Sequence, residues 1–132
     1  MIDIEKKNVT LVNKTPHPVV LVLEDGAKIT LAPVQPIPRV SSHNIVTANY
    51  TVVDADGNEH MVTCESPVFG EVVDLPEEKE GVIYIVSMLV ASRATNRTDL
   101  VSPGKQIRNE MGQVVGCAAL QGKEVVEEAV ML

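Results

Sequence analysis

Apolar and polar residues alternate along much of the chain with a period of two, the spacing that sends successive side chains to opposite faces of an extended strand. Residues 8–13 (NVTLVN) show it first. Lys14-Thr15-Pro16-His17-Pro18 interrupts it, and its two prolines lack backbone donors, which predicts a turn or an irregular edge. Val19 to Leu23 reads as a short apolar strand, Glu24-Asp25-Gly26-Ala27 as a tight turn, and Lys28 to Leu31 as the returning strand. The three prolines of residues 32–38 (APVQPIP) predict an extended crossing outside any ladder. Arg39, Val40 and the polar run Ser41-Ser42-His43-Asn44 come before a strand at Ile45 to Val53. Asp54-Ala55-Asp56-Gly57-Asn58 predicts a second hairpin turn, with Glu59 to Glu65 as the return. Pro67 to Asp74 is a further strand, with Gly70 as a bulge or close approach.

Glu77 to Gly81 is a charged, exposed loop. Val82 to Ser87 (VIYIVS) is a continuous apolar run, which predicts a central strand buried on both faces. Met88 to Ala94 then predicts a short helix with Ser87 as its N-cap. Thr95 to Gly104 reads as a polar loop. Ile107 to Glu110 and Gln113 to Leu120 flank Met111-Gly112 as a third hairpin. The tail, residues 121–132, is acidic and amphipathic; its spacing allows a helix, but its length requires a partner surface. Together these elements predict a mainly β fold, a β-rich α+β class. Residues 1–120 are expected to form a single antiparallel β-sandwich or barrel-like domain with one short helix after Val82–Ser87, and the tail allows a second helix at the C-terminus.

Composition reinforces this reading. The chain has 132 residues, of which 23 are valine and only three are aromatic (Tyr50, Phe69 and Tyr84). Valine is stiff at χ1 and fits a pleated, half-buried surface. Three rings cannot build a stacking platform for single-stranded nucleic acid. Acidic residues outnumber basic ones 18 to 11, a net charge of −7. General nucleic-acid binding, which relies on a basic patch, is therefore disfavoured, and the balance suits a soluble cytoplasmic protein. No signal-like apolar segment opens the chain and no apolar run approaches membrane-spanning length. Asn8, Asn13, Asn49 and Asn96 match the glycosylation pattern, which without export is a chance match.

Candidate chemistry is sparse. No nucleophile-elbow, zinc-protease, Walker or dinucleotide glycine pattern is present. Asp54-x-Asp56 begins like a calcium loop and Glu65 stands twelfth, but Gly57 is misplaced for the sharp turn such loops need, so a hairpin turn is expected. His17, His43 and His60 do not pair with one another or with a cysteine at ligand spacing, and no metal or cofactor is expected. Cys64 and Cys117 read as buried thiols, with a disulfide or a reactive thiol as the alternatives. The four arginines, at 39, 93, 97 and 108, sit among prolines and hydroxyl residues. Guanidinium groups grip carboxylate or phosphate bidentately. Arg39, Arg97 and Arg108 thus either converge on a small anion or pair internally, for example with Asp99 or Glu110.

Four segments in order, Thr15-Pro16-His17-Pro18-Val19, Gly81 to Ser87 with Leu89-Val90-Ala91, Arg97-x-Asp99 to Gly104, and Ile107 to Cys117, resemble a group of small phage and prophage proteins of undefined chemistry. The resemblance spans roughly residues 8–120 and excludes the tail. It places His17, Arg39, Ser87, Arg97, Asp99, Ser102 and Arg108 in recurrent segments, and these are the candidate ligand-binding residues. The resemblance implies a protein of the host cytoplasm that works by binding. One form sequesters a nucleotide-derived immune signal of the host, a small anionic ligand. The alternative is a structural or interaction protein docking on a host or virion protein. An enzyme, with His17 or His43 as base and Asp99 or Cys117 as partner, is the least favoured reading. Short strands leave edges to protect, so a homo-oligomer is expected.

Overall fold

A computed structural model describes Ile4 and residues 6–125. Its elements run β1 (Thr10–Asn13), β2 (Val19–Val22), β3 (Lys28–Leu31), β4 (Arg39–Val53), β5 (Glu59–Val73), β6 (Val82–Ile85), α1 (Met88–Arg93), β7 (Leu100–Arg108) and β8 (Val114–Gln121). The fold is mainly β with one short helix, as the period-two pattern predicts. Six strands form one sheet in the order β1-β6-β7-β8-β2-β3, and β4 with β5 forms a separate two-stranded ribbon.

The six-stranded sheet is mixed rather than wholly antiparallel. β1 with β6, β6 with β7, and β2 with β8 run parallel. Only β2–β3 and β7–β8 are antiparallel hairpins. Parallel neighbours need long connections. The long insertion between β1 and β6, and the helix-bearing segment between β6 and β7, provide them. The ends of the sheet then meet: Asn13 at the end of β1 bridges Pro33 just beyond β3, and the Val34 amide donates to the Asn13 carbonyl at 2.8 Å. The sheet thereby closes into a barrel. Its interior is a single apolar cluster to which every strand of the sheet contributes: Leu11, Val19, Leu21, Leu31, Ile85, Val101, Cys117 and Leu120.

β6 is buried on both faces from Tyr84 onward, as its unbroken apolar run predicts. Ile85 points into the barrel, while Tyr84 and Val86 join an outer cluster with Val90 of α1 and Leu100 of β7. Val40 and Val72, at the foot of the ribbon, pack against the same outer cluster. Ser87 caps α1, its hydroxyl accepting from the Val90 amide.

Several boundaries differ from the sequence reading. Ser41 to Asn44 lies inside β4, and Pro67 lies inside a continuous β5 opposite Asn44. A proline is tolerated there because a two-stranded ribbon has open edges on both sides. The segment read as a loop up to Gly104 is strand from Leu100, because Ser102, Pro103 and Gly104 pair with Gln121, Leu120 and Ala119. The boundary drawn after residue 120 therefore falls inside β8. Gly122 to Val125 have no regular structure, and residues 126–132, where the C-terminal helix is expected, lie outside the described residues. Among the described residues no helix is long and apolar enough to cross a membrane.

Barrel closure rests on Asn13, whose side chain is fully buried. Its amide nitrogen donates to the carbonyls of His17 and Leu31, and its oxygen accepts from the Thr15 amide at 2.9 Å and faces the Thr15 hydroxyl at 2.7 Å. Truncation would strand several buried polar groups at once, each costing about 1–3 kcal/mol. Asn13→Ala is expected to lower stability by at least about 3 kcal/mol, read as a fall in the urea midpoint at unchanged slope. A change below about 1 kcal/mol would show that the clasp is dispensable.

Candidate functional site

The arginines do not converge. Arg97 lies just before β7 and Arg108 ends it, so they stand roughly 25 Å apart at the rise of an extended strand. Arg39 begins β4 at the foot of the ribbon. The alternative of internal pairing holds for Arg97, whose Nε and Nη2 each donate to an Asp99 carboxylate oxygen at 2.8 Å. Glu78 adds a second carboxylate at 3.3 Å. The Asp99 hydrogen bonds raise the pKa of Arg97 above its ordinary value, against the effect of burial. Its charge is spent within the chain. Arg108 is exposed and ties its own hairpin, donating to the Gly112 carbonyl at 2.6 Å and to Gln106 at 3.2 Å.

The other candidates scatter similarly. The His17 residue is exposed, and its carbonyl rather than its ring joins the Asn13 network. Cys117 lies in the barrel core, where burial pushes its thiol up. Cys64 sits half-buried on the ribbon, and both cysteines are free thiols. The Asp54 loop is a hairpin turn: its carboxylate accepts from the Asp56 and Asn58 amides and lies 2.7 Å from His60 Nε2. The His60 hydrogen bond holds Asp54 below the usual carboxylate range. Among the described residues no three of His, Cys, Asp and Glu gather as a metal site.

Ser102 does meet a cavity. It is buried and helps line an open space of ≈ 420 Å³ between α1 and the end of β8. Met88, Ala91 and Leu100 supply apolar walls, Ser92, Thr95, Gln121 and Lys123 supply polar groups, and Glu124 adds a carboxylate. Lys123 Nζ donates to the Thr95 carbonyl at 2.8 Å across its rim. Ser87 and Asp99 are the cap of α1 and the partner of Arg97, and neither lines this space.

The larger feature is the ribbon. Directly opposed pairs sort its residues onto two faces. One face carries Ser42, Asn44, Val46, Asn49, Thr51 and Val53 opposite Phe69, Pro67, Glu65, Thr63, Met61 and Glu59. It turns towards the body at its foot, where the Arg93 guanidinium of α1 lies 4.6 Å over the Phe69 ring. The other, far face carries Ile45, Ala48, Tyr50 and Val52 opposite Ser66, Cys64, Val62 and His60, then His43 opposite Val68. Its large apolar side chains stay open, from 39 % exposed at Val68 to 55 % at Tyr50. Composition hid this surface, because valine content alone reads as core. The available signal was the run from Val40 to Val53, fourteen residues with no charged residue and no proline.

Set against protein-family models, curated proteins and solved structures, the chain matches none. The functional reading therefore rests on its own geometry.

The Arg97–Asp99 pair yields a direct test of structural against ligand use. Removing one partner of a buried pair leaves an uncompensated charge. Arg97→Ala is expected to cost about 3 kcal/mol and Arg108→Ala under about 1 kcal/mol, measured by thermal unfolding. Equal, small losses would return Arg97 to the set of free ligand-binding groups.

Proposed function

We propose that this protein is a non-catalytic interaction module that docks the far face of its β4–β5 ribbon onto another protein surface. The observation that carries the reading is that this face is largely apolar and that no described residue of its own chain covers it. A two-stranded ribbon is marginal in water by itself, and contiguous exposed apolar patches of a few hundred Å² mark interaction sites. The barrel then serves as the rigid base that presents the ribbon. The resemblance to small phage and prophage proteins agrees with an accessory role on a virion or host protein. A photo-cross-linking residue at Val62, on the far face, is expected to capture a protein in producing cells, and one at neighbouring Met61 to capture far less. Equal yields at the two positions, or none at either, would refute the reading.

A second reading is favoured by the α1 cavity. A small anionic or nucleotide-derived ligand would set its apolar part against Met88, Ala91 and Leu100 and its polar groups on Ser102 and Lys123, displacing the Lys123–Thr95 bond and keeping its charge clear of Glu124. Such a protein would sequester a signal without cleaving it. Isothermal titration with a panel of cyclic and ADP-ribose-derived nucleotides is expected to give heat that Lys123→Ala weakens. Absence of heat across the panel would dismiss this reading and leave the ribbon reading intact.

A further inference from the structure

We infer that the far face of the ribbon is covered by the same face of a second copy of this chain, an inference that rests on the docking reading above and names its partner. Charge selects the occupant. At −7, two copies repel one another over most of their surface. The middle of the far face, from Ile45 to Val62, carries no Asp, Glu, Lys or Arg; Asp54, bonded to His60, stands at its tip and Arg39, opposite Val73, at its foot. Glu59 and Glu65 stand on the opposite face of the same ribbon. Two identical copies can thus meet over this middle stretch without opposing carboxylates. A partner recognised by charge finds only the Asp54–His60 pair and Arg39, at the two ends of this face.

Area agrees. The exposed parts of Ile45, Tyr50, Val52, Val62 and Val68, with smaller contributions from Ala48 and Cys64, amount to roughly 500 Å² per copy. Two such faces laid together remove at most roughly 1,000 Å² from water, the lower threshold for a specific interface. A two-fold axis makes the contact self-complementary and closes it at two copies. The edges of the ribbon point the same way. Edge strands left in water are blunted by charges and proline. β5 carries Glu59, Glu65, Pro67 and Glu71, whereas β4 beyond Arg39 carries none. β4 is thus the strand suited to an enclosed setting.

The test is the mass of the full-length purified chain in solution, by light scattering on a sizing column at about 50 μM, a concentration that populates a micromolar dimer. The wild-type chain is expected at twice its 14.2 kDa. Val62→Glu and Val52→Lys each put a charge into the apolar contact, and both are expected to run at single-chain mass. Met61→Glu, on the opposite face, is expected to keep the dimer. These positions are exposed, and circular dichroism on each variant verifies that the barrel persists. A wild-type chain at single-chain mass overturns the inference, as does a dimer that survives both far-face variants or dissolves equally with Met61→Glu. If a monomeric wild type still cross-links through Val62 to a different protein, self-pairing fails while the docking reading stands.

Discussion

Closure of the barrel depends on one buried amide. Asn13 stands where β1 ends and the chain turns through Thr15-Pro16-His17, and its side chain reaches across to the Leu31 carbonyl at the end of β3. A primary amide offers two donors and an acceptor with two lone pairs. Both faces of that chemistry are engaged here, so the buried polar groups of the seam are satisfied rather than stranded. Next to it the Lys14 amide donates to Ile85 at 2.7 Å, and Lys14 Nζ reaches the Gln35 and Pro36 carbonyls. Three consecutive buried polar residues thus join β1, β6, the end of β3 and the proline-rich crossing. With the seam open, β1 and β3 would be free edges and the six-strand interior would meet water.

Closure has consequences further out. Because one core is filled from all six strands, β6 can turn its alternate residues outward to a second cluster. That cluster receives α1 and the foot of the ribbon. Close approach is enforced on the way: a side chain at Gly116 would meet the Val20 carbonyl at 2.9 Å, where β8 runs beside β2. The distal ribbon has no such support. Its strands pair with each other and leave the far face uncovered among the described residues. The polar chemistry of the protein is largely spent on this architecture: Asn13, Lys14 and Thr15 on the seam, Arg97 and Asp99 on each other, and Arg108 on its hairpin.

Much of the fold was legible in order. The strands at β1, β2, β3 and β6, the three hairpin turns, the Ser87-capped helix and the unbroken burial of β6 follow from periodicity, turn residues and capping, all of which are local. The errors share a cause. Ser102-Pro103-Gly104 reads as a loop by composition, yet it is strand because β8 lies beside it, and the polar run Ser41–Asn44 extends because β5 does. Pairing partners distant in sequence override local propensity. Of the two readings of the arginines, internal pairing holds for Arg97 because Asp99 stands two residues away, while Arg97 and Arg108 are kept apart by the strand between them.

The sequence by itself therefore determined the class of fold, the positions of the turns and the absence of any known catalytic motif, because these depend on side-chain period and on residues within a few positions of one another. Only the tertiary structure decided that the sheet is mixed and closed, that Arg97 is spoken for, and that the valines divide into an enclosed set and an uncovered set. Valine looks identical in both settings along the chain. Whether it is core or contact surface depends on which distant strand, if any, lies over it, and that is a property of the folded path alone.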